Sequence, residues 1–291
     1  QMEIMLPYYN QIEVLSGNII KTRFHGDVIY SLDTYKQKRF AYANEGFEFY
    51  CFLDGYQEDQ NDIRIFEVKA TTSKKFTSIE YKTDDDQKQS IFGETPEGIM
   101  RLQEELGVPI NADYHKKVNR LMHRMDKVGR YVYDIAYQRY VIEQALKVEK
   151  PVKYYLVVLN ADYIHEGKID ENGQPIYTDD IVRFIDLTEL TKRMLPTVEN
   201  DVNTVKTYLE HLNASPCQLG EHCQRKDRRE CKFFPICYAH VPAKNSIFTY
   251  LDGHHGFKEP DGTKHERFDL LNEGYIHASD LPYTWLNRDK N

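Results

Sequence analysis

Asp54, Glu67 and Lys69 lie in the stretch CFLDGYQEDQNDIRIFEVKAT, where an acid closes one apolar run and a Glu-Val-Lys triplet closes the next. Residues 47–53 (FEFYCFL) and 63–69 (IRIFEVK) read as strands, with the polar run 55–62 as a hairpin connection. Side chains alternate along a strand, so Glu67 and Lys69 are expected on one face and Val68 on the other, toward the core. Two carboxylates and an ammonium would then converge at one sheet edge. Carboxylate oxygens suit Mg²⁺ or Mn²⁺, and such an ion polarises a phosphoryl oxygen and lowers the pKa of an attacking water. The Val68 carbonyl is a further oxygen donor, and a lysine can steady that water or the charge that develops on phosphorus. The plainer reading of Glu-x-Lys is a solvated ion pair.

The elements around this stretch follow from periodicity and punctuation. Residues 11–24 and 34–43 read as short helices. The segment 71–90, with its acidic run Asp84-Asp85-Asp86, reads as an exposed loop. Helical spacing recurs in 96–106, with Pro96 at the first position and Gly107 past the end, and again in 112–127 and 131–148. In the last of these Ile135, Tyr137, Val141, Ala145 and Leu146 share a face. The run KYYLVVLN (153–160) is long and apolar enough for the centre of a sheet. Residues 162–180 are turn-rich, 182–186 form a short strand, and 188–212 are helical with an interruption at Pro196.

The 291 residues can bury a substantial core, and no apolar run is long enough to span a membrane. No charged-then-apolar leader is present, so a cytoplasmic location is expected. Gln1 stands first rather than Met, as in a fragment or processed chain. With 38 basic and 46 acidic residues the formal charge is −8, which does not advertise a nucleic-acid partner and does not exclude one. Local positive charge would come from Lys74 and Lys75 and from the segment 115–130 (HKKVNRLMHRMDKVGR), unless these are ordinary solvated faces.

Four of the five cysteines, Cys217, Cys223, Cys231 and Cys237, fall within 21 residues with gaps of 5, 7 and 5. Zinc ribbons use tighter pairs, and disulfides are disfavoured in a cytosolic chain. Loosely spaced thiolates with a nearby proline, here Pro235, suit an iron–sulfur cluster; zinc and unliganded thiols remain the alternatives. Cys51 reads as a small buried hydrophobe.

The order Asp54, Glu67-Val68-Lys69, then YDIAYQRY (133–140) on a helix, then an apolar strand resembles the PD-(D/E)XK nuclease superfamily, in its RecB-like branch. The resemblance implies an α/β restriction-endonuclease-like core, a central mixed sheet flanked by helices, in residues 1–212, with a cysteine-rich lobe in 213–291. It implies a metal-dependent DNA exonuclease of repair, recombination or defence, or a catalytically silent binding module that keeps the fold. The branch's helix glutamine and tyrosine are matched by Gln138 and Tyr140, at a spacing slightly shorter than usual; Gln138 would orient the lysine or contact DNA, and Tyr140 reads equally as a core aromatic. Its [4Fe-4S] cluster takes one N-terminal and three C-terminal cysteines; Cys223, Cys231 and Cys237 match the latter, leaving Cys217 or His222 as substitutes for the fourth.

The stretches VVLNADYIHEGKID, IDLTELTKR, GEHCQRKDRRECKFFPICY and NSIFTYLDG…LLNEGYIHASDLP resemble a bacterial family in which a RecB-like nuclease domain precedes an RNase-H-like domain. That second domain is not evident here, so it or a helicase-type protein is an expected partner, besides DNA. The family's N-terminal cysteine would precede the first residue. Its helix-borne histidine ligand falls at or near Val14, where Glu13, or less directly His25, would substitute.

Overall fold

A computed structural model describes residues 2–146, 150–213, 219–223, 231–250, 257–259 and 261–286. The chain divides into two compact units, Gln1–Thr207 and Tyr208–Asn291. The first opens with helix α1 (Met2–Arg23) and strands β1 (Asp27–Tyr30), β2 (Lys38–Asn44), β3 (Phe47–Leu53), β4 (Gly55–Glu58) and β5 (Ile63–Thr72). A short helix α2 (Lys74–Thr77), strands β6 (Glu80–Lys82), β7 (Lys88–Ser90), β8 (Phe92–Glu94) and β9 (Ile99–Leu102), and helices α3 (Ala112–Leu121) and α4 (Gly129–Ala145) follow. Strands β10 (Val152–Leu159) and β11 (Val182–Asp186) and the long helix α5 (Thr188–Glu210) complete it.

Seven strands form one mixed sheet in the order β1-β4-β5-β10-β11-β9-β8, and the apolar run of β10 occupies its middle. β10 runs parallel to β5, and β11 parallel to β9; the other pairs are antiparallel. Alternation along β5 sends Phe66 and Val68 to a core shared with Ile19 and Ile20 of α1, and Ile63 and Ile65 to the opposite core beneath α3, α4 and α5. Both faces of the sheet are thus covered, which is why its middle strand, β10, is apolar over Tyr154–Leu159.

Several elements differ from the sequence reading. Residues 34–43 are not a helix. A single 3₁₀ turn, Thr34–Lys36, capped by Asp33, leads into β2, which pairs with β3 over its full length. Phe40 is buried while Arg39 is exposed, the period-two pattern of a strand, and pairing overrides a modest helical preference. Residues 96–106 hold strand β9 and a 3₁₀ turn. Pro96 sits in a tight turn closed by the Gly98 amide on the Thr95 carbonyl, with Gly98 left-handed (φ +73°). The supposed 55–62 connection begins with strand β4, so the hairpin partner of β5 is β4 and not β3. The 71–90 segment holds the end of β5, α2 and the β6–β7 hairpin rather than loop alone. Pro196 leaves α5 unbroken: it lies on the solvent side, between the buried anchors Met194 and Val198.

The second unit contains α6 (Phe234–Cys237), α7 (Ile247–Tyr250), the two-stranded pair β12 (Phe257–Lys258) and β13 (Lys264–His265), α8 (Arg267–Asn272) and α9 (Tyr283–Leu286). Its small core gathers Leu219, Cys223, Tyr238, Ile247, Phe257, Phe268, Leu270, Leu271 and Leu281. Among the described residues, no helix is long and apolar enough to cross a membrane.

Candidate active site

Asp54 is the single residue between β3 and β4, and its carboxylate does the work a strand neighbour would do. Oδ2 accepts the backbone N–H of Val68 at 2.9 Å, on the flank of β5 where β4 has ended. A residue in a strand directs its N–H and C=O to the same neighbour, so the Val68 carbonyl leaves on the Asp54 side too. Oδ1 accepts from Gln37 Nε2 at 3.3 Å. The next residue is a closely packed glycine: a Cβ on Gly55 would stand 3.1 Å from Phe66 Cβ and 3.3 Å from the Tyr30 ring, so its neighbours would have to give way. That ring is wedged on its other side against Gly17 of α1, where an added Cβ would meet it at 2.3 Å. The Tyr30 hydroxyl donates to the Glu13 carbonyl at 2.5 Å, so α1 is pinned against the strands that carry the acids.

Glu67 and Lys69 share the opposite face of β5 from Val68, and Lys69 Nζ donates to Glu67 Oε1 at 2.5 Å. The other Glu67 oxygen accepts from Gln138 Nε2 of α4 at 2.7 Å, while Gln138 Oε1 is buried without a hydrogen-bond partner. The three residues meet on an inner strand of the sheet, between β4 and β10, and not at a sheet edge.

The electrostatics follow from crowding. Burial, then the Glu67 charge, pushes Asp54 up to about 7, against the opposing pull of the Val68 amide and Lys69. Glu13 is raised by burial and by Glu67, with Lys69 pulling it down. Burial works against the Lys69 ammonium, but Glu67, Asp54 and Asp134 outweigh it and hold its pKa above the ordinary lysine value. Asp134 is raised by loss of solvent and by Glu67, and lowered by Lys69 and Arg130. Four carboxyl groups therefore interact with one lysine, an excess of negative charge that favours protons or a cation.

Of the residues picked from sequence, Asp54, Glu67, Lys69, Val68, Glu13 and Gln138 are brought together. His25 is exposed beyond the end of α1, with its carbonyl held by Gln57. Tyr140 is elsewhere: its hydroxyl accepts from Tyr42 at 2.5 Å and its ring packs edge-on against Tyr42 and Phe49. Two residues along a helix is a rotation of about 200°, so Tyr140 cannot share the Gln138 face. Lys75 donates to the Tyr131 hydroxyl at 3.2 Å, and Arg130 donates to the same oxygen at 3.0 Å. Those two cations lower the phenol's pKa against the upward push of burial. Lys74 is exposed. Cys51 is buried and its thiol is pushed up to about 12, chiefly by burial, which leaves it inert.

Asp134, Gln37 and Tyr30 were not picked from sequence. Asp134 precedes Gln138 by four residues, so the shared helix face was a usable signal. Gln37 and Tyr30 reach the site through tertiary folding and carry no local pattern.

The carboxylates satisfy themselves on neighbouring donors, and among the described residues no group of three or more His, Cys, Asp or Glu side chains stands in metal-ligand geometry. The donor chemistry nevertheless fits a hard divalent ion: oxygen ligands only, surplus negative charge and an orphaned buried amide oxygen beside Glu67. In the second unit Cys223 is buried, and Cys231 and Cys237 are partly so, with the Cys231 N–H on the Cys223 carbonyl at 3.0 Å. These three do not make a ligand group, His222 is exposed, and Cys217 lies outside the described residues. Comparison with family models, curated proteins and solved structures finds no match.

Proposed function

We propose that the chain is a Mg²⁺- or Mn²⁺-dependent deoxyribonuclease of the PD-(D/E)XK type, hydrolysing phosphodiester bonds at DNA ends. The observation that carries this reading is the convergence of Asp54, Glu67 and Lys69, with Asp54 bonded to the very amide that separates the other two. Asp54 and Glu67 would hold the ion, with the Val68 carbonyl and Glu13 as flanking oxygens; the ion would polarise the phosphate and activate water. Lys69 has a positive charge held firmly by its neighbours, suited to steadying the attacking water or the charge on phosphorus. Gln138 fixes the Glu67 carboxylate from the helix side. Lys75 and Arg130, gathered on Tyr131, supply positive charge for a neighbouring phosphate.

The test is purified protein with Mn²⁺ against single- and double-stranded, linear and circular DNA. Lys69→Ala should lower cleavage by about 10²–10³-fold while Mn²⁺ still binds, since the lysine acts on the reaction and not the ion. Asp54→Ala and Glu67→Ala should weaken both. The silent-module reading draws on the engagement of both Glu67 oxygens by Lys69 and Gln138; DNA binding without cleavage in any metal would select it.

The role assigned to the second unit's cysteines is structural. A small apolar core gains most from a staple, and a metal site absent from the unfolded chain converts binding energy into folding energy. Anaerobically purified protein should be brown and contain iron, and Cys231→Ser should lose both colour and thermal stability. Colourless protein with stoichiometric zinc would replace iron but keep the role, and absence of both metals with an unchanged melt would remove it.

A further inference from the structure

The β2–β3 hairpin turns one face to the core through Phe40, Cys51 and Leu53. Its other face is exposed and chemically distinctive. Arg39 stands directly across from Phe52, and Ala41 across from Tyr50, so these side chains share that face. Tyr50 is 49% exposed; its ring meets Phe52 edge-on with centroids 5.8 Å apart, and the Arg39 guanidinium lies 5.2 Å from its centroid. At the head of the hairpin Tyr35 is 100% exposed. Gln37, extended and two residues before Arg39, belongs to the same face, and its amide reaches Asp54. Gln37 thus links the start of this face to Asp54.

We propose that this face is a stacking shelf for single-stranded nucleic acid, which passes over Tyr35, Tyr50 and Arg39 and delivers its backbone to Asp54; the inference rests on the nuclease reading of that site. Exposed rings interleaved with a guanidinium are the chemistry that holds unpaired bases, because every base has a π-face while a duplex keeps its bases stacked on one another. The chain carries −8 overall, and the two cations at this face are each paired with one acid. Those cations are Lys36 and Arg39, whereas Lys38 turns to the other face, over the Phe40 and Tyr56 rings; the partners of Lys36 and Arg39, Asp33 and Glu48, are solvent-exposed. Exposed pairs of this kind contribute little and can exchange for phosphate contacts. An extended peptide would instead seek an open strand edge and side-chain pockets, and the feature here is a face of flat rings.

The measurement is fluorescence anisotropy of a labelled oligothymidylate, and of a duplex of equal length, with EDTA present so that the strand stays intact. Single strand should bind more tightly than duplex, and Tyr35→Ala, Tyr50→Ala and Arg39→Ala should each weaken it about tenfold. Tyr50→Trp should retain binding, since stacking does not need the hydroxyl; this variant, with the fully exposed Tyr35, separates lost stacking from lost folding. Parent-like binding by Tyr35→Ala and Tyr50→Ala would overturn the shelf, as would equal affinity for duplex, or capture of an extended peptide in place of the oligonucleotide. The two readings fail differently. Shelf variants that cut DNA like the parent, beside an inactive Lys69→Ala, would retain the nuclease and remove the shelf. Ring-dependent binding with no cleavage in any metal would retain the shelf and remove the nuclease.

Discussion

Asp134 shows how one carboxylate can tune a site without being one of its primary groups. It shares the α4 face with Gln138, and its charge and that of Glu67 both act on Lys69. Asp134→Asn removes one anion from a crowded set. The cation should then bind less well, with a few-fold more Mn²⁺ needed for half-maximal cleavage, while the loss of rate stays well below that of Lys69→Ala. Because burial raises the Asp134 pKa, its charged form costs stability in the fold, and the variant should melt no lower than the parent at pH 8. A collapse of folding in Asp134→Asn, or a rate loss equal to that of Lys69→Ala, would contradict this division of roles. Much of the site was legible at this scale. An acid ending one strand and an acid-x-lysine ending the next fix a face by alternation alone, and Gln138 adds a helix contact. Tyr140 takes the core-aromatic alternative, packed against the core below α4, because motif proximity says nothing about helix phase.

Among the elements, α1 and the β-strands are locked by a ring held between two glycines. Gly17 lies in the interior of α1, where replacing glycine by alanine would ordinarily stabilise the helix by about 1 kcal/mol. Here the added methyl would collide with the Tyr30 ring at 2.3 Å. Overpacking costs about 1–3 kcal/mol and outweighs the propensity gain, so Gly17→Ala should lower thermal stability. It should also push α1, and Glu13 with it, away from Lys69, raising the Mn²⁺ requirement. A more stable Gly17→Ala variant would show that the ring yields and that the lock is not tight. This contact was invisible in sequence, as were the strand character of residues 38–44 and 99–102. Each of those short strands is specified by its neighbour in a sheet and not by its own periodicity, whereas α4, β10 and α5 carry patterns long enough to read alone.

At the scale of the whole molecule, the surplus of acids makes stability depend on pH in an unusual direction. A carboxyl whose folded pKa lies above its unfolded value takes up a proton on folding, so its contribution is full below the unfolded pKa and is lost as pH rises through the folded one. Asp54, raised to about 7 by burial and Glu67, behaves this way. So does Glu105, also raised to about 7 by burial and by Asp186. Metal-free protein should therefore lose stability between about pH 4 and 7, over and above the loss or gain from other groups. Asp54→Asn and Glu105→Gln should each remove part of that slope and melt higher than the parent at pH 8. A divalent ion separates the two. Bound at Asp54 as proposed, it would replace the proton there, so Mn²⁺ affinity should climb as pH rises toward 7, and saturating Mn²⁺ should erase the Asp54 share of the slope. The Glu105 share should persist, because burial against Asp186 at the β9–β11 side of the sheet is untouched by an ion at β5. Thermal melts of the parent and both variants across this range, with and without Mn²⁺, read each contribution. A slope that vanished with Mn²⁺ in the parent but persisted in Asp54→Asn would place the cation elsewhere.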